Sequence, residues 1–233
     1  MTFKIILLSL FGVILTIGIF KFFTLLGRRW KFSFFNPVLF SIVGIILILN
    51  LIGLDFEDYN RGGKLLSFFL GPSIVALGVF FFEKYQEIKK NLLPFLTSIF
   101  IGGITGILSV IFILLLFKVP PIIINSLAAK SVTTPIAIEI TKTLGGIPEI
   151  TAGIVIAVGV FGNAIGPAFL KLLGIKSKIA IGTALGTAAH GIGTARAMEI
   201  DKLAGVYSGL AMCVNGVFTA VFAPLLLEIL NIY

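Results

Sequence analysis

Two segments of the chain combine polar or ionisable side chains with residues that break helices. The first is 130–139, Lys-Ser-Val-Thr-Thr-Pro-Ile-Ala-Ile-Glu. Ser and Thr before Pro135 are typical of a helix N-terminus, where free N–H groups and positive partial charge favour an anion. Here the candidate anion-binding residues are Lys130, Ser131, Thr133 and Thr134. Glu139 is a candidate proton carrier, and Pro135 marks the predicted helix break.

The second segment is 186–196, Gly-Thr-Ala-Ala-His-Gly-Ile-Gly-Thr-Ala-Arg. Its glycines allow a helix to unwind and another backbone to come close, and Gly191 is the predicted break. An ionisable group inside an apolar segment is costly and usually functional, so His190 is a second candidate proton carrier. The candidate binding residues of this segment are Gly186, Thr187, His190, Gly191, Gly193, Thr194 and Arg196.

Each ionisable residue also has a simpler interpretation. Lys130 would then be a loop lysine whose ammonium reaches the membrane surface, and Arg196 an interfacial anchor. Glu139 would only pair with Lys142 or Lys130, and His190 would be a hydrogen-bonded packing residue. The glycines would serve helix packing alone.

Motifs of soluble enzymes are absent from the sequence. Gly191 and Gly193 are followed by Arg196 where a dinucleotide-binding fingerprint needs Gly or Ala, and no phosphate-binding loop or nucleophile elbow occurs. The only Cys, Cys213, and the only His, His190, lie in different apolar runs, which gives no multi-His metal site and a poor basis for a nucleophile pair. The sequence predicts neither an enzyme nor a cofactor or metal.

The composition is that of a membrane protein. Of the 233 residues, 58% are hydrophobic and 12% charged, about half of the ~25% charged residues usual in soluble domains. Such a chain has too few polar residues to cover a soluble surface, which excludes a soluble enzyme, a disordered tail and a nucleic-acid module. The net charge is +8, and the basic residues lie in short gaps between apolar runs. Basic loops of this kind fix the orientation of a membrane protein.

Seven charge-free runs predict an all-α polytopic membrane protein with seven transmembrane spans. The runs are 5–20 (read as an uncleaved span), 32–54, 65–82, 91–117, 150–170, 179–195 and 203–227. Segment 118–149 carries charges and four prolines, and predicts a re-entrant or double half-helix hairpin, the alternative being a helical loop on the surface. The predicted divisions of this one membrane domain are 1–31, 32–117, 118–149 and 150–233.

Three gaps between the runs hold ten of the 18 basic residues. With these gaps in the cytoplasm, the N-terminus is predicted outside and the C-terminus inside. Residues 70–78 also resemble residues 185–193, with Leu, Gly and Gly at the same offsets. This predicts inverted repeats, 32–117 and 150–230, with glycine-broken helices at Gly71-Pro72 and at Gly191. The pattern is typical of secondary transporters, whose substrates bind near mid-membrane.

Several motifs resemble the LrgB/CidB family. They are 130–139, Gly145-Gly146-Ile147-Pro148, 186–196, 208–212, Asn215-Gly216, Asn36-Pro37 and Leu70-Gly71-Pro72. Ala189 is one departure, since many members have Ser there. The resemblance adds Asn215 to the candidate binding residues.

The resemblance implies two kinds of function. Some members are described as holin-like or antiholin-like proteins that modulate murein hydrolase activity and autolysis with a small LrgA/CidA-type partner. Others resemble transporters of pyruvate, glycolate or glycerate. The sequence favours a cell-membrane carrier of small monocarboxylates that works by alternating access, with a pore or regulator of autolysis as the alternative. Expected partners are the lipid bilayer, an LrgA/CidA-type protein and a second copy in a homo-oligomer such as a dimer.

Overall fold

The computed structural model describes residues 2–29, 37–69, 72, 79, 82, 85–90 and 92–232. The regular structure of these residues is entirely helical, which confirms the all-α prediction. The helices are α1 (Thr2–Arg29), α2 (Pro37–Ile52), α3 (Phe56–Phe68), α4 (Tyr85–Lys90), α5 (Leu92–Leu116), α6 (Pro121–Leu127), α7 (Thr134–Thr143), α8 (Pro148–Leu172), α9 (Lys178–Ile200) and α10 (Lys202–Ile229). The chain forms two compact units, Met1–Val79 and Phe80–Tyr233.

Four helical segments in the described residues are long and apolar enough to cross a membrane. They are Ile6–Gly27, Leu92–Leu116, Pro148–Leu172 and Lys202–Ile229. These segments support a multi-pass membrane protein and correspond to four of the seven predicted runs. The predicted run 32–54 contains the shorter helix α2. The run 65–82 lies largely outside the described residues, as does Gly71 with most of the motif 70–78.

In the first unit, α1 packs against α2 and α3. Helices α1 and α3 touch at two glycines, because a Cβ on Gly62 would lie only 2.7 Å from the Cα of Gly12. The hydroxyls of Thr16 and Tyr59 join the same two helices at 2.8 Å. Small residues let helices approach closely inside a membrane, where apolar burial alone gives little association.

In the second unit, α9 reverses direction in its middle. His190 has φ 41° and ψ −131°, which no helix allows. A Cβ on Gly193 would overlap the carbonyl oxygen of Leu185, eight residues earlier, which is possible only if the chain turns back on itself. Helix α9 is therefore a hairpin of two antiparallel arms, 178–188 and 191–200, called hairpin 2 below.

The neighbours of hairpin 2 confirm the reversal. Its first arm runs parallel to α10, since Gly182 lies on Ala204 and Gly186 on Ser208. Its second arm runs antiparallel to α10, where Thr194 meets the same Ser208 at 2.9 Å. The loop before hairpin 2 and the turn after it thus lie at one end of the unit. The prediction that 179–195 crosses the membrane was wrong, because the chain enters and leaves this end.

Helices α6 and α7 form the other hairpin of this unit, called hairpin 1 because it comes earlier in the chain. The linker 128–133 forms its tip. Its tip lies beside the middle of α5, where a Cβ on Gly106 would be 3.6 Å from Ser131 Oγ. Residues of both arms and the linker, such as Ile124, Val132 and Ile140, are buried in a core with α5, α8 and α10. Two short helices and a buried linker thus occupy the segment predicted to form a re-entrant or double half-helix hairpin, and their burial argues against the surface loop.

The two hairpins follow helices of equal length. Helices α5 and α8 have 25 residues each and begin at Leu92 and Pro148, 56 positions apart. Both end in the same turn, in which Lys118 and Gly174 have φ 54° and 73°. Helix α5 runs parallel to the first arm of hairpin 2 and α8 antiparallel to it, so the hairpins enter from opposite ends. This repeat has other boundaries than the predicted halves, 32–117 and 150–230.

One end of the second unit is rich in basic residues. This lysine-rich end contains the start of α5, the loop 173–177 and the turn at Asp201. Its basic residues are Lys89, Lys90, Lys171, Lys176, Lys178, Arg196 and Lys202. The opposite end, with the end of α10, has two basic residues among those described, Lys118 and Lys142.

Candidate functional site

The tips of the two hairpins meet at Asn215, in the middle of α10. Asn215 Nδ2 donates hydrogen bonds to Ser131 O at 3.2 Å and to Thr187 O at 3.1 Å. Backbone carbonyls near a helix end lack a helical partner, and an amide has two N–H donors, enough for one carbonyl on each hairpin. The fully buried Asn215 is thus the bridge between the hairpins.

Helix α5 makes room for this junction with glycines. A Cβ on Gly103 would lie 2.5 Å from Asn215 Oδ1, and one on Gly102 would lie 3.3 Å from Thr187 Cγ2. These glycines were missed by the sequence interpretation. Gly102 and Gly106 have the small-residue spacing that signals close helix packing in membranes, a signal that would have found Gly102 but not Gly103.

A cleft of about 590 Å³ separates α5 from the first arm of hairpin 2. It extends from Pro94 and Ser177, at the lysine-rich end, to Gly102 and Thr187 at the junction of the hairpins. Most of its lining is apolar. A concave, mostly apolar site with a few converging polar groups is the usual form of a small-molecule site.

The polar groups along the cleft differ in what they bind. Ser98 and Thr183 give their hydroxyls to carbonyls of their own helices at 2.8 Å. Thr187 Oγ1, at the deep end, is buried and has no hydrogen-bond partner among the described residues, and neither has Asn215 Oδ1, which lies beside Gly103 and is not part of the cleft lining. Unpaired buried polar atoms are costly, so the deep end of the cleft is where a ligand or water would gain most.

The tip of hairpin 1 brings several predicted residues together. Lys130 Nζ donates to Ser131 Oγ at 3.1 Å, and Lys130 is only partly exposed. Thr133 is the N-cap of α7, its side chain makes no capping hydrogen bond, and Thr134 and Pro135 begin the helix. The ammonium group and the helix N-terminus give this tip positive charge, which favours an anion.

The tip of hairpin 2 is held by His190 against α8, away from the cleft. Its Nε2 donates to Val155 O at 3.0 Å, and a Cβ on Gly159 would lie 2.8 Å from its ring. His190 is 4% exposed. Thr194 Oγ1 donates to His190 O at 2.9 Å and so closes the first turn of the second arm. The break lies at Ala189–His190, before Gly191.

Of the three predicted glycines within the described residues, two are required by close packing. Gly186 lies directly on the backbone of Ser208, and Gly193 on Leu185. Gly191 has only Met212 Sδ near it, at 3.8 Å. A further residue at this tip, Asn163 of α8, was missed, although its Nδ2 donates to Ile192 O at 3.1 Å.

Arg196 and Glu139 lie apart from the junction. Arg196 pairs with Glu199, and Glu139 with Lys142, each at 2.7 Å and each at a spacing of three residues along one helix. All four side chains are more than 40% exposed. Exposed pairs of this kind contribute about 0–1 kcal/mol to stability. The structure thus joins Lys130, Ser131, Thr187 and Asn215, and leaves these two charges outside.

The described residues contain no group of three or more His, Cys, Asp or Glu side chains that would hold a metal ion. Lys130, the hydroxyls and the two helix breaks suit a small anion better than a metal.

The chain is similar to one family model and to several proteins of Bacillus. A sequence model of the LrgB-like family matches residues 16–229. The uncharacterized protein YxaC of Bacillus subtilis (strain 168) is 33% identical over 220 residues, covering 94% of this chain and 96% of YxaC. The antiholin-like protein LrgB of Bacillus cereus (strain B4264) is 33% identical over 222 residues, covering 95% and 96% of the two chains. No solved structure matches the chain.

Proposed function

This chain belongs to the LrgB-like family, and we propose that it is a membrane carrier of small monocarboxylates such as pyruvate, glycolate or glycerate. The observation that carries the proposal is the junction at Asn215, where two hairpins from opposite ends meet at the deep end of a cleft. Broken helices that meet in the middle of a membrane domain are typical of secondary transporters.

The chemistry of the junction supports a small carboxylate as the substrate. Lys130 and the N-terminus of α7 supply positive charge. Ser131, Thr133, Thr134 and Thr187 supply hydroxyls. The cleft volume of about 590 Å³ leaves space for a small acid and water. Arg196 and Asn215 take other roles in this proposal, as a surface charge and as the bridge between the hairpins.

We place the lysine-rich end in the cytoplasm, because loops with more Lys and Arg stay on that side. The cleft then opens to the cytoplasm. Since hairpin 2 returns to the end it entered, α10 leaves the C-terminus outside, opposite to the sequence prediction. If transport is coupled to protons, His190 and Glu139 are the candidate carriers, and coupling through His190 would have to break its bond to Val155 O.

A second candidate function follows from the names of relatives. The Bacillus cereus protein is called antiholin-like. With the family resemblance of the sequence motifs, this name favours a regulator of autolysis, for which we propose a small LrgA/CidA-type membrane protein or a second copy of the chain as partner. A regulator without carrier activity does not need the polar junction. Alanine at Lys130 would then leave its effect on autolysis unchanged.

Uptake by purified protein in proteoliposomes distinguishes the two functions. We expect saturable uptake of labelled pyruvate, glycolate or glycerate, competed by the unlabelled acids and lowered at least about tenfold by Lys130→Ala, since a lost charge-assisted hydrogen bond is worth about 1.5–3 kcal/mol. Lys171→Ala, which removes an exposed ammonium far from the junction in sequence, is the matched control. Absence of uptake, or leakage that rises linearly with concentration and ignores both variants, would exclude the carrier.

A further inference from the structure

The 56-residue repeat pairs residues of the open cleft with residues of a closed region. The cleft is lined by the first arm of hairpin 2, including Ala184 and Thr187. The residues 56 positions earlier, Ala128 and Ser131, lie on hairpin 1, which faces α8 as hairpin 2 faces α5. The carbonyls of Ser131 and Thr187 share one partner, Asn215, so the two positions are equivalent in space as well as in sequence.

The equivalent region between hairpin 1 and α8 is closed by hydrogen bonds. Thr151 Oγ1 of α8 donates to Ser126 O of α6 at 2.8 Å and lies 2.9 Å from Thr141 Oγ1 of α7. Ser126 Oγ in turn accepts from Ile147 N at 2.7 Å. Ser126, Thr141 and Thr151 are each 0% exposed, so these bonds are shielded from water.

The open cleft has no such bonds at the matching positions. Gly182 stands 56 positions after Ser126, and Phe95 stands 56 positions before Thr151. Neither side chain can form a hydrogen bond. The burial of the two matched alanines reflects this difference, because Ala128 is 2% exposed while Ala184 lines the cleft. The two halves therefore have the same arrangement of helices. They differ because side-chain hydrogen bonds hold hairpin 1 against α8, while none at the matching positions holds hairpin 2 against α5.

We propose that Ser126, Thr141 and Thr151 form the gate of a second access path, which opens between α8 and the first arm of hairpin 1 at the opposite end. This proposal rests on the carrier function and specifies its second state. In that state hairpin 1 leaves α8 and exposes Ala128, while hairpin 2 closes onto α5 and buries Ala184. Asn215 lies between the two paths and holds both tips in register with each other.

Alkylation of a single cysteine tests the gate without relying on transport. Ala128→Cys and Ala184→Cys are made in a Cys213→Ser background, reconstituted in liposomes and treated with a membrane-impermeant maleimide on either face. We expect fast labelling of Ala184→Cys from the face of the lysine-rich end and slow labelling of Ala128→Cys. Adding Thr151→Val should raise the rate at which Ala128→Cys is labelled from the other face by about tenfold. This factor corresponds to the loss of one or two net hydrogen bonds.

Two further variants keep the result interpretable. Thr141→Val removes the bond between Thr141 and Thr151 but leaves that from Thr151 to Ser126 O, so we expect a smaller increase in labelling; it replaces Thr151→Val if that variant fails to fold. Thr97→Val is the control, since Thr97 is exposed and its hydroxyl bonds only within α5. Three results would overturn the gate. The first is equal labelling rates at positions 128 and 184 without Thr151→Val, and the second is labelling of both positions from one face. The third is no increase in labelling at position 128 with either valine variant.

Uptake by the same proteoliposomes separates this proposal from the carrier function. If no variant shows saturable uptake but Thr151→Val still exposes the residue at position 128, the gate stands and the carrier function fails. If the unmodified protein transports but neither valine variant changes labelling at position 128, the gate fails and the carrier function stands.

Discussion

Ser131 and Thr187 lie on hairpins that enter the second unit from opposite ends, yet their carbonyl oxygens accept hydrogen bonds from the same nitrogen, Asn215 Nδ2, at 3.2 and 3.1 Å. They are also 56 positions apart, the interval that separates the starts of α5 and α8. One side chain of α10 thus connects equivalent points of two helix-plus-hairpin segments. A movement of either tip must stretch or break a bond to Asn215.

Replacing Asn215 should lower both the thermal stability of the protein and its rate of uptake. Asn215→Ala leaves Ser131 O and Thr187 O without their donor, and a buried polar group without a partner costs about 1–3 kcal/mol. We expect a lower midpoint of thermal unfolding in detergent and at least tenfold slower uptake. Asn50→Ala is the control, because its amide bonds only to Ile46 O on its own helix. Equal unfolding midpoints for the two variants would show that the bridge is unimportant.

Adding a methyl group to Gly103 should disturb the same junction from the side of α5. The new Cβ would lie 2.5 Å from Asn215 Oδ1, too close for any side chain to tolerate without movement. We expect Gly103→Ala to destabilise the protein by about 1–3 kcal/mol, the usual cost of overpacking, measured by unfolding in denaturant. Gly153→Ala is the matched control, as nothing lies within 4 Å of its Cβ position. A stable Gly103→Ala protein would contradict the close approach.

The break at His190 predicts an unusual order of stabilities. At φ 41° a residue with a Cβ is strained and glycine is not. His190→Gly and His190→Ala both lose the hydrogen bond to Val155 O, so their difference reports the backbone alone. We expect the glycine variant to be the more stable by about 1 kcal/mol. In a continuous helix the alanine variant would be the more stable by a similar amount, about 1 kcal/mol.

The reversal of hairpin 2 also predicts the sides of the membrane on which two points lie. In a Cys213→Ser background, Lys176→Cys in the loop before hairpin 2 and a cysteine tag after the C-terminus should react with an impermeant maleimide from opposite faces. We expect the loop to react from the cytoplasmic face, since Lys176 in the loop and its neighbours Lys171 and Lys178 favour that side. Labelling of both from the same face would mean that 178–200 crosses the membrane.

The candidate site was predictable in parts. Segments 130–139 and 186–196 were recognised because lysine, histidine and hydroxyl residues are rare inside apolar sequence, and both form hairpin tips. The simpler interpretation fits Glu139, which pairs with Lys142 at 2.7 Å. Gly103 was not found, because nothing in its local sequence separates a glycine that faces Asn215 from one such as Gly153 that faces open space.

The sequence by itself determined the solvent and the secondary structure. Long runs without charge must be buried in a bilayer, and in a bilayer they must be helical, because the backbone has no water to bind. The tertiary structure decided where each helix goes. The glycines of 186–196 predicted a break in this run, but an apolar run that crosses the membrane with a break and one that turns back at Ala189–His190 share that signal. The reversal depends on contacts distant in sequence, from Gly193 to Leu185 and from His190 to Val155, and these exist only when the helices are packed.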